Sequence, residues 1–111
     1  MSTLRWHIER NDAILTLSRR IPVQFDLAVD TVLPAGKRLK LAQQVRQDMW
    51  RALQDLRGFS PAVRVEACGD GLKVTAGGQV DGVFPRAQSE SRIAEVLECP
   101  KNRARWMRWA S

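Results

Sequence analysis

The sequence predicts an α+β fold, in which a mainly antiparallel sheet of four or five strands packs on one long helix. Two segments, 4–19 and 62–76, alternate apolar and polar residues around turn-forming residues, which indicates two hairpins. Between them, residues 37–57 carry apolar side chains at helical spacing. Two short helices complete the predicted order β-β-β-α-β-β-α-α. The 111 residues are expected to form a single domain, 1–111, with its own core.

The first hairpin is predicted over residues 4–19, with an Asn-Asp pair as a two-residue loop. This register would place Ile8 opposite Leu15 and Trp6 opposite Leu17. The apolar residues would then share one face of the hairpin and most polar residues the other. Because turn and alternation agree on one register, they support each other.

The middle of the chain is predicted to contain a third strand and the long helix. Alternation resumes after Pro22 over residues 23–29, which indicates a third strand or a bent continuation of the second. Residues 33–36 are expected to be a connector. The long helix is predicted over 37–57 because no Gly or Pro interrupts its apolar stripe, and Gly58 fits the position that closes a helix.

The second hairpin is predicted over residues 62–76, with Asp70-Gly71 as its two-residue turn. This register would pair Val65 with Ala76 on the inward face. The Gly-Gly pair that follows is expected to end or bulge the strand.

The C-terminus is predicted to form two short helices. Ser89 is a suitable N-cap for a helix over 90–98, and Pro100 would end that helix and begin the last one, 100–111. The predicted core consists of the inward apolar residues of all these elements. They are Trp6, Ile8, Leu15, Leu17, Phe25, Leu27, Leu41, Val45, Met49, Leu53, Val65, Val74, Ile93 and Leu97.

The charge balance favours an anionic partner. There are 18 basic and 12 acidic residues, which give a net charge of +6. Such a balance is typical of proteins that bind nucleic acid, acidic proteins or anionic lipid. Arginine outnumbers lysine, and Ala, Val, Leu and Gly are common, as in proteins of GC-rich bacterial genomes, which are also basic without binding nucleic acid.

Several classes of protein are disfavoured by composition and motifs. Cys68 and Cys99 lack the spacing of a zinc site, and reduced thiols are expected, with a disulfide between them as the alternative. The N-terminus is charged within five residues and has no apolar stretch typical of a secretory signal. The longest apolar runs are far below the ~20 residues of a membrane span. We therefore expect a cytoplasmic protein without metal, cofactor or membrane contact.

No arrangement of residues predicts an enzyme. His7, the single histidine, is expected on a polar strand face with no nucleophile beside it. Asp26 and Asp30 share a strand face at ~13 Å, beyond the ~5–9.5 Å of paired glycosidase carboxylates. A Gly-Asp-Gly segment lies within the second hairpin rather than between a strand and a helix, so it does not indicate a nucleotide-binding loop.

Two basic segments are the candidate binding sites. The helix over 100–111 has no acid and, at helical spacing, places several cations on one face and most apolar residues on another. Its candidate residues are Lys101, Arg103, Arg105, Arg108, Trp106 and Trp109. At the start of the long helix, an anion would offset the unfavourable interaction of cations with the helix dipole. The candidates there are Lys37, Arg38 and Lys40.

These segments support two functional hypotheses. The first is a non-enzymatic interaction module or accessory subunit that binds a protein with an acidic surface through its C-terminal helix, since Arg and Trp dominate interface hot spots. The alternative is a nucleic-acid-binding module whose two basic clusters contact phosphates, which requires both clusters on one surface. A third interpretation is structural: the Trp face docks on the domain, since a lone helix of this length is marginal.

Overall fold

The computed structural model describes residues 6–111 and confirms the predicted α+β fold and element order. The predicted hairpin residues 4 and 5 lie outside the described part. The strands are β1 (His7–Arg10), β2 (Ile14–Ser18), β3 (Leu27–Pro34), β4 (Phe59–Cys68) and β5 (Gly71–Val80). The helices are α1 (Arg38–Ala52), α2 (Arg86–Glu98) and α3 (Pro100–Ala110).

The five strands form one antiparallel sheet in the order β1-β2-β4-β5-β3. β1 and β3 are therefore the edge strands, while β2, β4 and β5 lie inside. The helices cover one face of the sheet, where the alternate strand residues are apolar and fully buried. These residues include Leu15, Leu17, Leu27, Val63, Val65 and Val74.

Most of the predicted core is confirmed, but Ile8 and Phe25 were predicted wrongly. Ile8 is 44% exposed because it lies on the edge strand β1, whose main neighbour is β2. Phe25 is half-buried and lies under the Arg64 guanidinium, 5.0 Å from ring centroid to Cζ, outside the core. Trp6 is partly buried and packs against the core from its rim.

The first hairpin has a different register from the predicted one. Arg10 lies opposite Leu15 and Ile8 opposite Leu17, a shift of two residues. The backbone N–H of Asn11 donates to the carbonyl of Ile14 at 2.9 Å, and its side-chain oxygen accepts from the N–H groups of residues 13 and 14, so the turn is centred on residues 12 and 13 rather than on 11 and 12. A shift of two leaves every side chain on its predicted face.

The second hairpin has a two-residue loop, but it is formed by Gly69 and Asp70 rather than by residues 70 and 71. Gly69 has a φ of 57°, the left-handed conformation that this turn requires and that glycine adopts without strain. Val65 consequently lies opposite Val74, not opposite Ala76.

The third strand and the end of β5 also differ from the prediction. β3 covers 27–34 instead of 23–29, so residues 33 and 34, predicted as connector, are strand residues. Gly77 and Gly78 do not end β5, which continues to Val80. The extra length of β5 provides backbone partners for all of β3, from Leu27 opposite Gly78 to Pro34 opposite Gly71.

The helices have different ends from those predicted. α1 ends at Ala52, and Gly58 lies in the turn before β4 rather than at a helix cap. α2 begins four residues earlier than expected, after Pro85, so Ser89 is a buried residue inside the helix and not its N-cap. α3 begins at Pro100 as predicted.

Candidate anion-binding surface

The two basic segments lie on neighbouring antiparallel helices. At one end, the backbone N–H of Lys37, just before α1, donates to the carbonyl of Ala110 in the last turn of α3 at 2.7 Å. At the other end, Trp106 Nε1 of α3 donates to Asp48 Oδ2 of α1 at 2.7 Å. The start of α1 therefore meets the last turn of α3, which carries Arg108, whereas Lys101 lies at the opposite end of α3.

The sequence left open whether Trp106 contacts a partner or packs on the domain, and the structure places it in the core. Its side chain is fully buried, because α3 packs against α1. Asp48 is only 13% exposed and accepts hydrogen bonds from both Trp106 and Arg105. The guanidinium of Arg105 is thus held by an ion pair inside the domain, and α3 is an integral part of the fold.

Arg103 makes several contacts within the fold. Its guanidinium donates to the carbonyl oxygens of Leu97 at 2.9 Å and of Val32 at 2.7 Å. It lies 3.6 Å from the Glu98 carboxylate as well. Arg103 therefore joins the end of α2, the start of α3 and the edge strand β3.

Replacing Arg103 with lysine is expected to lower the free energy of unfolding by about 1–2 kcal/mol, because an ammonium group cannot reach both carbonyls as the planar guanidinium does. Urea denaturation measures this change. The same substitution at exposed Arg108 is the control and should change stability by less than about 0.5 kcal/mol. Equal effects at both positions would contradict the structural role of Arg103.

The remaining cations of the two clusters are accessible. We call the exposed side chains of Lys37, Lys40, Lys101 and Arg108 the basic helical surface. Trp109 lies beside Arg108 in sequence and is 58% exposed. Arg38 is half-buried, and its Nη1 atom is buried without a hydrogen-bond partner in the described part of the chain.

The charge of the molecule is concentrated on these two helices. Residues 37–52 and α3 carry nine of the 18 basic residues of the chain but one of its 12 acids, Asp48. That acid is already engaged by Arg105 and Trp106. The remainder of the chain has slightly more acids than cations. The two helices α1 and α3 therefore carry a local excess of positive charge.

A second feature, which the sequence analysis missed, is a cleft at the C-terminal half of α1. It has a volume of about 260 Å³, and we call it the aromatic cleft. Its lining residues come from four segments: the residue before β1, the residue after β2, the helix α1 and the start of β4. They are Trp6, Arg19, Arg46, Trp50, Phe59 and Pro61.

Arg46 is the central charge of the aromatic cleft. Its Cζ lies 4.6 Å from the centroid of the Trp6 ring, so cation and indole are stacked. Its Nε atom is buried and has no hydrogen-bond partner among residues 6–111. Burial lowers the pKa of the Arg46 guanidinium, which nevertheless stays protonated, as arginines do in proteins. A partly desolvated cation in the lining of the cleft favours an anionic ligand.

One sequence signal pointed to the cleft. Arg46 and Trp50 are four residues apart and lie beside the apolar stripe of α1, so they share a helix face. The other lining residues come from separate segments, and no local pattern indicates that they meet.

The structure also places the cysteines and the histidine that the sequence analysis considered. Both cysteines are free thiols, so the disulfide alternative is wrong. His7 lines an open hollow of about 450 Å³ together with Arg19, Arg20 and Ser60, and no carboxylate is present in its lining to orient the imidazole. Within residues 6–111, no group of three potential metal ligands and no helix able to cross a membrane is found.

Comparisons with protein-family models, with curated proteins and with solved structures found no match to this chain.

Proposed function

We propose that this protein is a non-catalytic nucleic-acid-binding module that contacts phosphates through the basic helical surface. The main support is the contact between the start of α1 and the last turn of α3, since these two segments carry Lys37 and Arg108. Lysine and arginine side chains that neutralise phosphates and release counterions supply most of the affinity of such modules. Since the single acid of α1 and α3 is paired, the exposed cations can act on an external anion.

A second candidate partner is a protein with an acidic surface. Exposed Trp109 next to Arg108 favours it, because Trp and Arg are the residue types enriched at interface hot spots. The first candidate is preferred because the cations are spread over two helices, whereas a protein hot spot requires a compact apolar centre.

Fluorescence anisotropy with labelled DNA and RNA, at about 50 and 200 mM salt, tests the proposal. The variant Lys37→Glu/Arg108→Glu is expected to bind nucleic acid at least about tenfold more weakly. The slope of log affinity against log salt concentration should also be smaller in magnitude by about two, because two phosphate contacts are lost. Both side chains are exposed, and a glutamate before α1 interacts favourably with the helix dipole, so folding should be preserved.

The matched control is Arg10→Glu/Arg57→Glu, which changes the net charge equally at two other exposed positions. It should retain nearly the affinity of the unmodified protein. Equal losses in both variants would show that net charge alone matters and would contradict a defined surface. Binding to poly-glutamate but to no nucleic acid would support the second candidate instead.

A further inference from the structure

We infer that the nucleic acid is single-stranded and that the aromatic cleft holds one of its unpaired bases. This inference rests on the proposed function, because the phosphates of the same strand would lie on the basic helical surface. It is based on the aromatic cleft, whose lining contains none of the four residues of the basic helical surface.

The aromatic cleft combines the groups that recognise an unpaired nucleotide. Trp50 is 49% exposed, and its indole lines the cleft together with the stacked pair of Trp6 and Arg46. Indole rings and guanidinium planes are the surfaces on which unpaired bases stack in proteins. The volume of about 260 Å³ lies below the range typical of drug-sized ligands, so it suits a single ring system.

The electrostatics of the cleft fit a nucleotide better than a neutral aromatic group. Arg19 and Arg46 line it, and no acid belongs to its described lining. Arg46 has a buried donor without a partner and is partly desolvated. A phosphate next to the bound base would compensate this charge, as charge-assisted hydrogen bonds from arginine to phosphate do.

A polar path along α1 connects the cleft with the basic helical surface. Lys40, Gln43, Gln47 and Trp50 are all exposed and follow the i, i+3 and i+4 spacing of one helix face. Ten residues of helix from Lys40 to Trp50 span about 15 Å. This length corresponds to roughly four stacked nucleotides at ~3.4 Å each. One short strand can therefore reach from the cleft to the cations at the start of α1.

A duplex cannot use this cleft in the same way. Its bases are paired and stacked, and moving one out of the helix costs a few kcal/mol. The duplex would contact the basic helical surface alone. The cleft therefore gives a preference for single strands, and the cations give affinity for any phosphate chain.

The test compares three oligonucleotides of equal length: a single strand, the same strand with abasic sites throughout, and the matching duplex. The unmodified protein should bind the normal strand at least about tenfold more tightly than the abasic strand, since stacking on an aromatic residue contributes that much per base. Trp50→Ala should bind both strands equally, at the affinity of the abasic one. Its affinity for the duplex should be unchanged.

Arg46→Lys is the second variant, because it keeps the charge and removes the stacking plane. It should lose part of the preference for the normal strand while its salt dependence stays the same. Alanine favours helices and Trp50 is half exposed, so Trp50→Ala should fold, which circular dichroism checks. A Trp50→Ala protein that still prefers the normal strand overturns the inference.

The remaining outcomes separate the inference from the proposed function. If the unmodified protein binds all three oligonucleotides equally, the cleft takes no base, but phosphate binding stands. If it binds none of them at about 50 mM salt, both proposals fail.

Discussion

Replacing Trp106 with alanine is expected to lower the free energy of unfolding by about 3–5 kcal/mol. The side chain is fully buried between α3 and the rest of the core, so its removal leaves a large cavity. The substitution also removes the indole donor from Asp48, whose carboxylate is only 13% exposed. Urea denaturation followed by circular dichroism gives the change, since a lower midpoint with an unchanged slope reports stability alone.

Trp109→Ala is the matched control, because it is the same substitution on the same helix at a 58% exposed position. It should cost less than about 1 kcal/mol. Trp106→Phe separates the effect of the cavity from that of the lost hydrogen bond. Phenylalanine fills most of the cavity but leaves Asp48 without the indole N–H donor, which costs about 1–3 kcal/mol. Similar midpoints for Trp106→Ala and Trp109→Ala would contradict the docking of α3.

The docking of α3 on the core also means that its deletion affects folding as well as binding. A chain that lacks residues 100–111 is expected to lose the fold, because Trp106 and Ala110 are core residues and Arg103 joins three elements. Deletion of the C-terminal helix would therefore remove binding for a structural reason. Point substitutions at exposed Lys37, Arg108 and Trp50 change the surface and leave the core intact.

The element order was predictable from the sequence, but the registers of the hairpins were not. Period-two and period-3.6 apolar patterns report which residues face the core, and they do so over many positions. Register depends on a few turn atoms. The side-chain oxygen of Asn11 accepts two backbone N–H groups, and this one interaction moves every pair in the first hairpin by two. Such a shift does not alter the faces, so the pattern contains no information about it.

The candidate site was predictable as a set of cations, but not as a set of accessible cations. From the sequence pattern, Arg103, Arg105 and Arg108 of α3 are equally good candidates for binding residues. Their different roles depend on the docking of α3, which directs Arg103 towards backbone carbonyls and Arg105 towards Asp48. The aromatic cleft depends on tertiary structure even more, because its walls come from four separate segments.

Gly77→Ala is expected to lower the free energy of unfolding by about 3 kcal/mol or more, because β3 approaches β5 too closely for any side chain there. A Cβ atom at Gly77 would overlap the backbone carbonyl oxygen of Leu27 and lie 2.9 Å from Cα of Ala28. These are backbone atoms, so no rotamer change can relieve the overlap. β3 would have to separate from β5 at this end of the sheet, where Leu27 is fully buried.

Gly69→Ala is the control, because it tests backbone conformation without crowding. Gly69 has a φ of 57°, and no atom lies within 4 Å of the position of a Cβ there. Alanine at this position should therefore cost only about 1–2 kcal/mol, the usual penalty of the left-handed conformation. Urea denaturation of both variants gives the comparison. If Gly77→Ala is no less stable than Gly69→Ala, β3 does not approach β5 at Gly77 as closely as the structure shows.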